Sequence, residues 1–222
     1  MASLTVENYI KTIYQICIDQ NDTPAGTGKI ADILGVSPGT VTSMLKGLSE
    51  SGMVTYTPYT GVILTESGRS LALRVLRRHR LIELFLTRTL ALSWDEVHAE
   101  AENMEHSVSD FLIDRIDAYL GYPENDPHGD PIPRADGTVP LSNGESLADL
   151  KINDHFYLLR VLDQSQSFLR FLSEAGLELN SQGRVVSNSP EGGVISIEVD
   201  GRPTTLSHEA AKKLFVAMTE SP

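Results

Sequence analysis

His79-Arg-Leu-Ile-Glu83 and His98-Ala-Glu-Ala-Glu102-Asn-Met-Glu105-His106 put three histidines and three usefully spaced carboxylates into one short region. Imidazole nitrogen and carboxylate oxygen are donors that first-row divalent ions accept. Residues three, four, seven or eight apart share a helix face, so His79 and Glu83 make one pair and His98, Glu102, Glu105 and His106 one stripe. At roughly 100° per residue the stripe covers an arc of about 100°. Val97, Ala101, Met104, Val108 and Leu112 fall on a neighbouring arc, which sets the candidate ligands at the margin of a core. A single His/Glu pair reads as a solvated acidic helix; two adjoining clusters read as a metal site.

These residues need elements to hold them. From Val6 to about Asp19, Tyr9, Ile10, Ile13, Tyr14 and Cys17 recur at helical spacing, and the polar run from Gln20 to Gly28 ends that helix. A short helix follows with Ile30, Ala31, Ile33 and Leu34 inward; after Gly35, Ser37 is an N-cap and Pro38 a first helical residue for a helix with Val41, Leu45 and Leu48 inward. Two short helices about a tight turn describe a helix-turn-helix. Met53 to Thr65 reads as a hairpin about a Pro/Gly turn, and a hairpin in that place is a wing. Thr40, Thr42, Ser43 and Lys46 would face a DNA groove, with Ser37 near phosphate; their small hydroxyls suit phosphate and thymine-methyl contacts.

Thr65 or Ser67 caps a long helix towards Leu92, whose Arg74, Arg77, Arg78 and Arg80 read as a solvated face open to phosphate. Ser93-Trp-Asp-Glu96 is a capping box for the ligand-bearing helix, expected to continue to about Leu120. Both helices carry more apolar surface than one winged helix consumes, which predicts a homodimer presenting two recognition helices to a pseudo-palindromic double-stranded site. Tyr122 to Ser146, rich in Pro, Gly, Asp and Asn, reads as a tether with His128 exposed. Beyond it come strand-like runs at Phe156, Gly183 and Val194, a short helix near Phe168, and a last helix or helical turn from Ser207 to Val216, together a small barrel.

The 222 residues are 41% hydrophobic, and no run of about 18 apolar residues occurs. With no basic segment followed by an apolar block at the N-terminus, neither a membrane span nor a secretory signal is expected, and a cytoplasmic location follows. The single Cys17 reads as a small buried hydrophobe. The net charge of -12 argues against nucleic acid until it is divided: residues 1–80 hold eight Lys/Arg against six Asp/Glu, residues 81–222 ten against twenty-four. The near-neutral part can present a basic face, whereas the acidic remainder suits cation capture.

This order of parts resembles the diphtheria toxin repressor family of metal-dependent regulators, including its manganese-responsive members. Tyr9-Ile-Lys-Thr-Ile-Tyr14, Ser37-Pro-Gly-Thr-Val-Thr42, Leu64-Thr-Glu-Ser-Gly-Arg69, Arg78-His-Arg-Leu81 and Glu105-His106 carry the resemblance, which spans essentially the full chain. It implies an α+β chain: a winged helix-turn-helix over 1–73, a helical metal-binding and dimerisation domain over 74–122, a tether over 123–147 and an SH3-like (FeoA-like) barrel over 148–222. It also implies two ions per subunit. His79, Glu83 and His98 match an ancillary site completed from the barrel, by Asp163 or Gln164. Glu102, Glu105 and His106 match a primary site completed from the first helix, by Asn8. Iron-responsive members carry Cys where Glu102 stands, and carboxylate is the harder ligand, so Mn(II) is favoured without excluding Fe(II). Manganese-type members tend to use Asp and Glu where this chain has Asn8 and Lys11; a protonated Lys11 cannot ligate, which points to one primary ion rather than a binuclear pair.

The expected function is a Mn(II)-activated DNA-binding repressor of metal uptake, with no enzymatic activity. The alternatives are an Fe(II)-responsive repressor of the same kind, a two-metal hydrolase using both clusters, and a winged-helix regulator of a non-metal ligand. A hydrolase needs a placed general base and a substrate pocket, and no further His or Asp/Glu motif supplies them.

Overall fold

The computed structural model describes residues 3–141 and 144–219. Contacts divide it into two compact units, one built on the chain up to His79 with 104–108 and 133–138, the other on 80–103, 109–132 and the chain from Val139.

In the first unit α1 (Leu4–Asp19), α2 (Thr27–Leu34) and α3 (Pro38–Glu50) are followed by β1 (Val54–Thr57), β2 (Gly61–Leu64) and the start of α4 (Glu66–Leu90). Ile10, Ile13, Ile16, Ile30, Val41, Leu45, Val62 and Val75 close its core, each wholly buried; each such side chain contributes about 1.5–3 kcal/mol. Gly35 ends α2 at φ 64°, a left-handed position that a side chain resists, and so turns the chain into α3. Ser37 Oγ accepts from Thr40 N–H and opens α3 with Pro38 in its first turn. β1 and β2 pair antiparallel from Val54↔Leu64 to Thr57↔Gly61, completing a winged helix. Ile33 is the exception to the expected core: it faces outward.

The second unit holds the rest of α4, most of α5 (Val97–Met104), α6 (Asp110–Tyr119) and a six-stranded antiparallel sheet, the SH3-like domain. Its strands are β3 (Glu145–Ser146), β4 (His155–Val161), β5 (Gln182–Ser189), β6 (Val194–Val199), β7 (Arg202–Ser207) and β8 (Leu214–Thr219), ordered β3-β8-β4-β5-β6-β7. A 3-10 turn (Leu147–Asp149), α7 (Gln166–Glu174) and the one-turn α8 (His208–Ala211) pack Leu147, Leu169, Leu172 and Ala211 onto Phe156, Leu158, Ile195, Ile197 and Val216.

Four expectations are corrected. The ligand-bearing helix does not run on to Leu120: α5 stops at Met104, and Ser109 starts α6 by accepting from Leu112 N–H. Serine competes for backbone hydrogen bonds and favours such caps; Leu112 is consequently exposed. Of the four arginines expected on a solvated face, Arg74, Arg77, Arg78 and Arg80, only Arg74 is exposed; the other three are buried. His128 is not exposed on a tether but wholly buried. The chain end is also not helical beyond one turn, since Leu214–Thr219 forms an inner strand between β3 and β4. No helix among the described residues is long and apolar enough to cross a membrane.

Candidate metal centres

In the first unit the cluster gathers round Glu105, whose side chain is fully buried just past the end of α5. His79 Nδ1 on α4 donates to Glu105 Oε2 at 2.6 Å, and Lys11 Nζ on α1 donates to Oε1 at 2.8 Å. Burial pushes the Glu105 carboxyl up, but the hydrogen bond and charge of His79 and the Lys11 ammonium outweigh it, holding the group below its usual range. His106 Nδ1 donates to Glu7 Oε2 at 2.7 Å, and its Nε2 stands 3.1 Å from Glu105 Oε1 without the alignment of a hydrogen bond. A carboxylate on one imidazole nitrogen fixes the tautomer that leaves the other for an ion. Asn8 Oδ1, on α1, is buried without a hydrogen-bond partner.

In the second unit a cluster surrounds Glu83 on α4, which is also fully buried. His98 Nδ1 donates to Glu83 Oε1 at 3.2 Å, and one turn along α5 Glu102 lies 3.9 Å from His98 Nε2. The residues 124–132 fold back as a loop, closed by an Asn125↔Pro131 bridge and by Asp126 Oδ1 accepting from the His128 and Asp130 N–H groups. Gly129, at φ 86°, lets this loop lie against β4, where a side-chain carbon would come to 2.0 Å from the Leu159 carbonyl oxygen. Glu83, Asp126 and His128 thus each bring a ligand atom within 4.8 Å of the others.

His128 Nε2 donates to the Trp94 carbonyl at 2.7 Å, leaving Nδ1 buried 3.7 Å from Glu83 Oε2 and without a hydrogen bond. Desolvation lowers the His128 pKa, but the Glu83 and Asp126 carboxylates and the Trp94 carbonyl raise it further, to about 9. Burial, with the charges of Asp130 and Glu83, pushes Asp126 up to about 7. Beside them Asp130 receives Arg80 at 3.0 Å, Gln164 at 3.1 Å and Arg160.

Both clusters fit a divalent ion: nitrogen and oxygen donors, some of them buried without partners, are what such an ion satisfies. The single-helix stripe does not survive, because Glu105 and His106 lie beyond α5. Asp163 accepts from Lys213 Nζ at 2.8 Å and caps the turn at Ser165, and none of the His/Cys/Asp/Glu ligand groups found among the described residues includes it. Asp126, His128 and Glu7 were missed from sequence. His128 and Asp126 carried a usable signal, a histidine two residues after an aspartate, but the Pro/Gly-rich setting masked it. Of the residues expected to face DNA, Ser37 at the N-cap of α3 and Thr40, Ser43 and Lys46 on it are exposed, while Thr42 is half-buried and donates to the Pro38 carbonyl.

Residues 1–62 match the iron-dependent repressor N-terminal DNA-binding domain, residues 65–134 the iron-dependent repressor metal-binding and dimerisation domain, and residues 145–218 the FeoA domain. The iron-dependent repressor IdeR of Mycobacterium tuberculosis is 31% identical over 228 residues, covering 96% of each chain. The chain belongs to the iron-dependent repressor family. The diphtheria toxin repressor of Corynebacterium glutamicum is 31% identical over 200 residues, 82% of this chain and 86% of that one. A solved manganese-dependent transcriptional repressor in complex with manganese superposes with a TM-score of 0.86 at 38% identity, over 96% of this chain and all of the other. Iron-dependent repressors are thus metal-dependent DNA-binding regulators, and both candidate clusters fall within the stretch that matches their metal-binding domain, with Glu7, Asn8 and Lys11 in the stretch that matches the DNA-binding domain.

Proposed function

We propose that this member of the family is a Mn(II)-activated transcriptional repressor of metal-ion uptake genes, a cytoplasmic homodimer that binds a pseudo-palindromic operator and takes two ions per subunit. The donor chemistry carries the reading. The clusters offer imidazole nitrogen and carboxylate or amide oxygen, with Asn8 Oδ1 and His106 Nε2 buried and lacking hydrogen bonds. The only thiol, Cys17, lies instead against the Val62 carbonyl at 3.8 Å. Without sulfur the set suits Mn(II); an Fe(II)-responsive repressor with the same residue roles is the alternative.

By the resemblance, Glu102, Glu105, His106 and Asn8 are the regulatory ligands, and His79, Glu83 and His98 the ancillary ones. We assign Asp126 and His128 to the ancillary role in place of Asp163, which Lys213 holds. A bound ion supplies the positive charge that lets carboxylates and neutral donors share one point. Asn8 then restrains α1, and α1 packs through Ile10 and Ile13 on the core that also holds Val41 and Leu45 of α3. Restraint of one helix reaches the other through those contacts, and the DNA-competent arrangement gains population in proportion to its tighter hold on the ion.

A DNA-binding titration against Mn(II), Fe(II), Zn(II) and Co(II), with bound metal measured by mass spectrometry, tests the proposal. Affinity for DNA should rise with Mn(II) and fall with chelator. Affinity indifferent to every metal and to chelator would mean that the chain is not a metal sensor.

A further inference from the structure

We infer that Lys11 is a tethered cation that occupies Glu105 in the ion-free chain and must withdraw before that carboxylate can be given to an ion, so that it sets how much metal is needed. The inference rests on the reading of Glu105 and His106 as ligands. Lys11 Nζ lies 2.8 Å from Oε1 of a carboxylate with no solvent exposure, the same oxygen that faces His106 Nε2 at 3.1 Å. A buried carboxylate without a compensating charge is costly, and in the ion-free chain Lys11 removes that cost.

Within this unit the carboxylates and permanent cations in contact at the cluster come in equal number. Glu7 and Glu105 stand against Lys11 and Arg78, the last 3.8 Å from Glu7 Oε1. A divalent ion added to this set leaves excess positive charge in a buried place unless a cation departs. Arg78 is held beside Glu7 at 8% side-chain exposure. Lys11, at 15%, has a flexible four-carbon stem that can carry its ammonium to water. It also lies three residues after Asn8 on α1, so its departure frees the helix face that carries the unpartnered amide oxygen.

The test uses the full chain with Lys11→Gln, which keeps a hydrogen-bond donor for Glu105 but no charge, beside Lys11→Met and Lys11→Arg. Mn(II) affinity is read by competition with a chromophoric chelator, and melting temperature with and without Mn(II). Both neutral variants should melt lower than wild type when ion-free, bind Mn(II) about tenfold more tightly or better, and show a larger Mn(II)-induced rise in melting temperature; Lys11→Arg should stay close to wild type. Unchanged or weaker Mn(II) binding by the neutral variants, or a Lys11→Gln chain that Mn(II) cannot bring to a folded state, overturns the inference and makes Lys11 a structural partner of Glu105. A wild-type chain that binds no Mn(II) sinks the ligand reading instead.

Discussion

Glu7 holds His106 by Nδ1, and that bond decides which nitrogen remains for an ion. Glu7→Ala should therefore lower Mn(II) affinity by about 10- to 100-fold, the usual cost of losing a residue that orients a ligand, while His106→Ala should abolish the metal dependence of DNA binding; calorimetric titration and a gel-shift series measure the two. Titration of the other cluster has a definite sign. His128 titrates near 9 when folded against 6.5 ordinarily, so its contribution is fully present below 6.5 and is lost as the pH rises through 9. Asp126, held protonated up to about 7 against 3.8, works in the same direction at lower pH. The ion-free chain should accordingly melt at a lower temperature at pH 9 than at pH 6. Metal affinity should move the opposite way over this interval, because ligands must lose their protons. A melting temperature that climbs with pH in the absence of metal would show that His128 is neutral in the fold.

The placement of the loop 124–132 depends on the backbone at Gly129. Gly129→Ala drives a methyl group into the Leu159 carbonyl and asks a side chain to adopt φ 86°, so the loop must leave β4 and carry Asp126 and His128 with it. The expected result is a loss of stability on the order of 2 kcal/mol or more, with fluorescence of Trp94, whose ring stacks 6.3 Å from that of His128, no longer responding to metal. An unchanged metal response of Trp94 would separate the loop from ion binding. On α3 the Ser37 hydroxyl caps the recognition helix, so Ser37→Ala should cost about 1 kcal/mol, read by chemical denaturation.

At the scale of the whole molecule the two hydrophobic cores share no residue: one runs from Tyr9 to Val75, the other from Leu147 to Val216 with Trp94 packed on it. Denaturation of the ion-free chain should depart from a single two-state transition. Trp94 fluorescence should follow the second core alone, and far-ultraviolet circular dichroism should follow both. Coincident curves would mean that the cores unfold as one. Charge is divided in a similar way, with the near-neutral first 80 residues carrying the DNA-binding domain and the acidic remainder the sheet domain.

Local chemistry made much of this legible in the sequence. Helical spacing, the Ser37-Pro38 start and the Thr57 to Gly61 turn specified the winged helix, because caps and turns act within a few residues. The types of the candidate ligands were equally plain, since only a few side chains can ligate. Their grouping was not. Glu105 pairs with Lys11 across ninety-four positions, His106 with Glu7 across ninety-nine, and Glu83 meets His128 from a loop whose composition resembles a free linker. The last strand likewise reads as helix until β3 and β4 flank it. Spacing along a chain reports neighbours on one element; which carboxylate a buried cation or imidazole reaches is decided by packing between elements, and only the tertiary structure shows it.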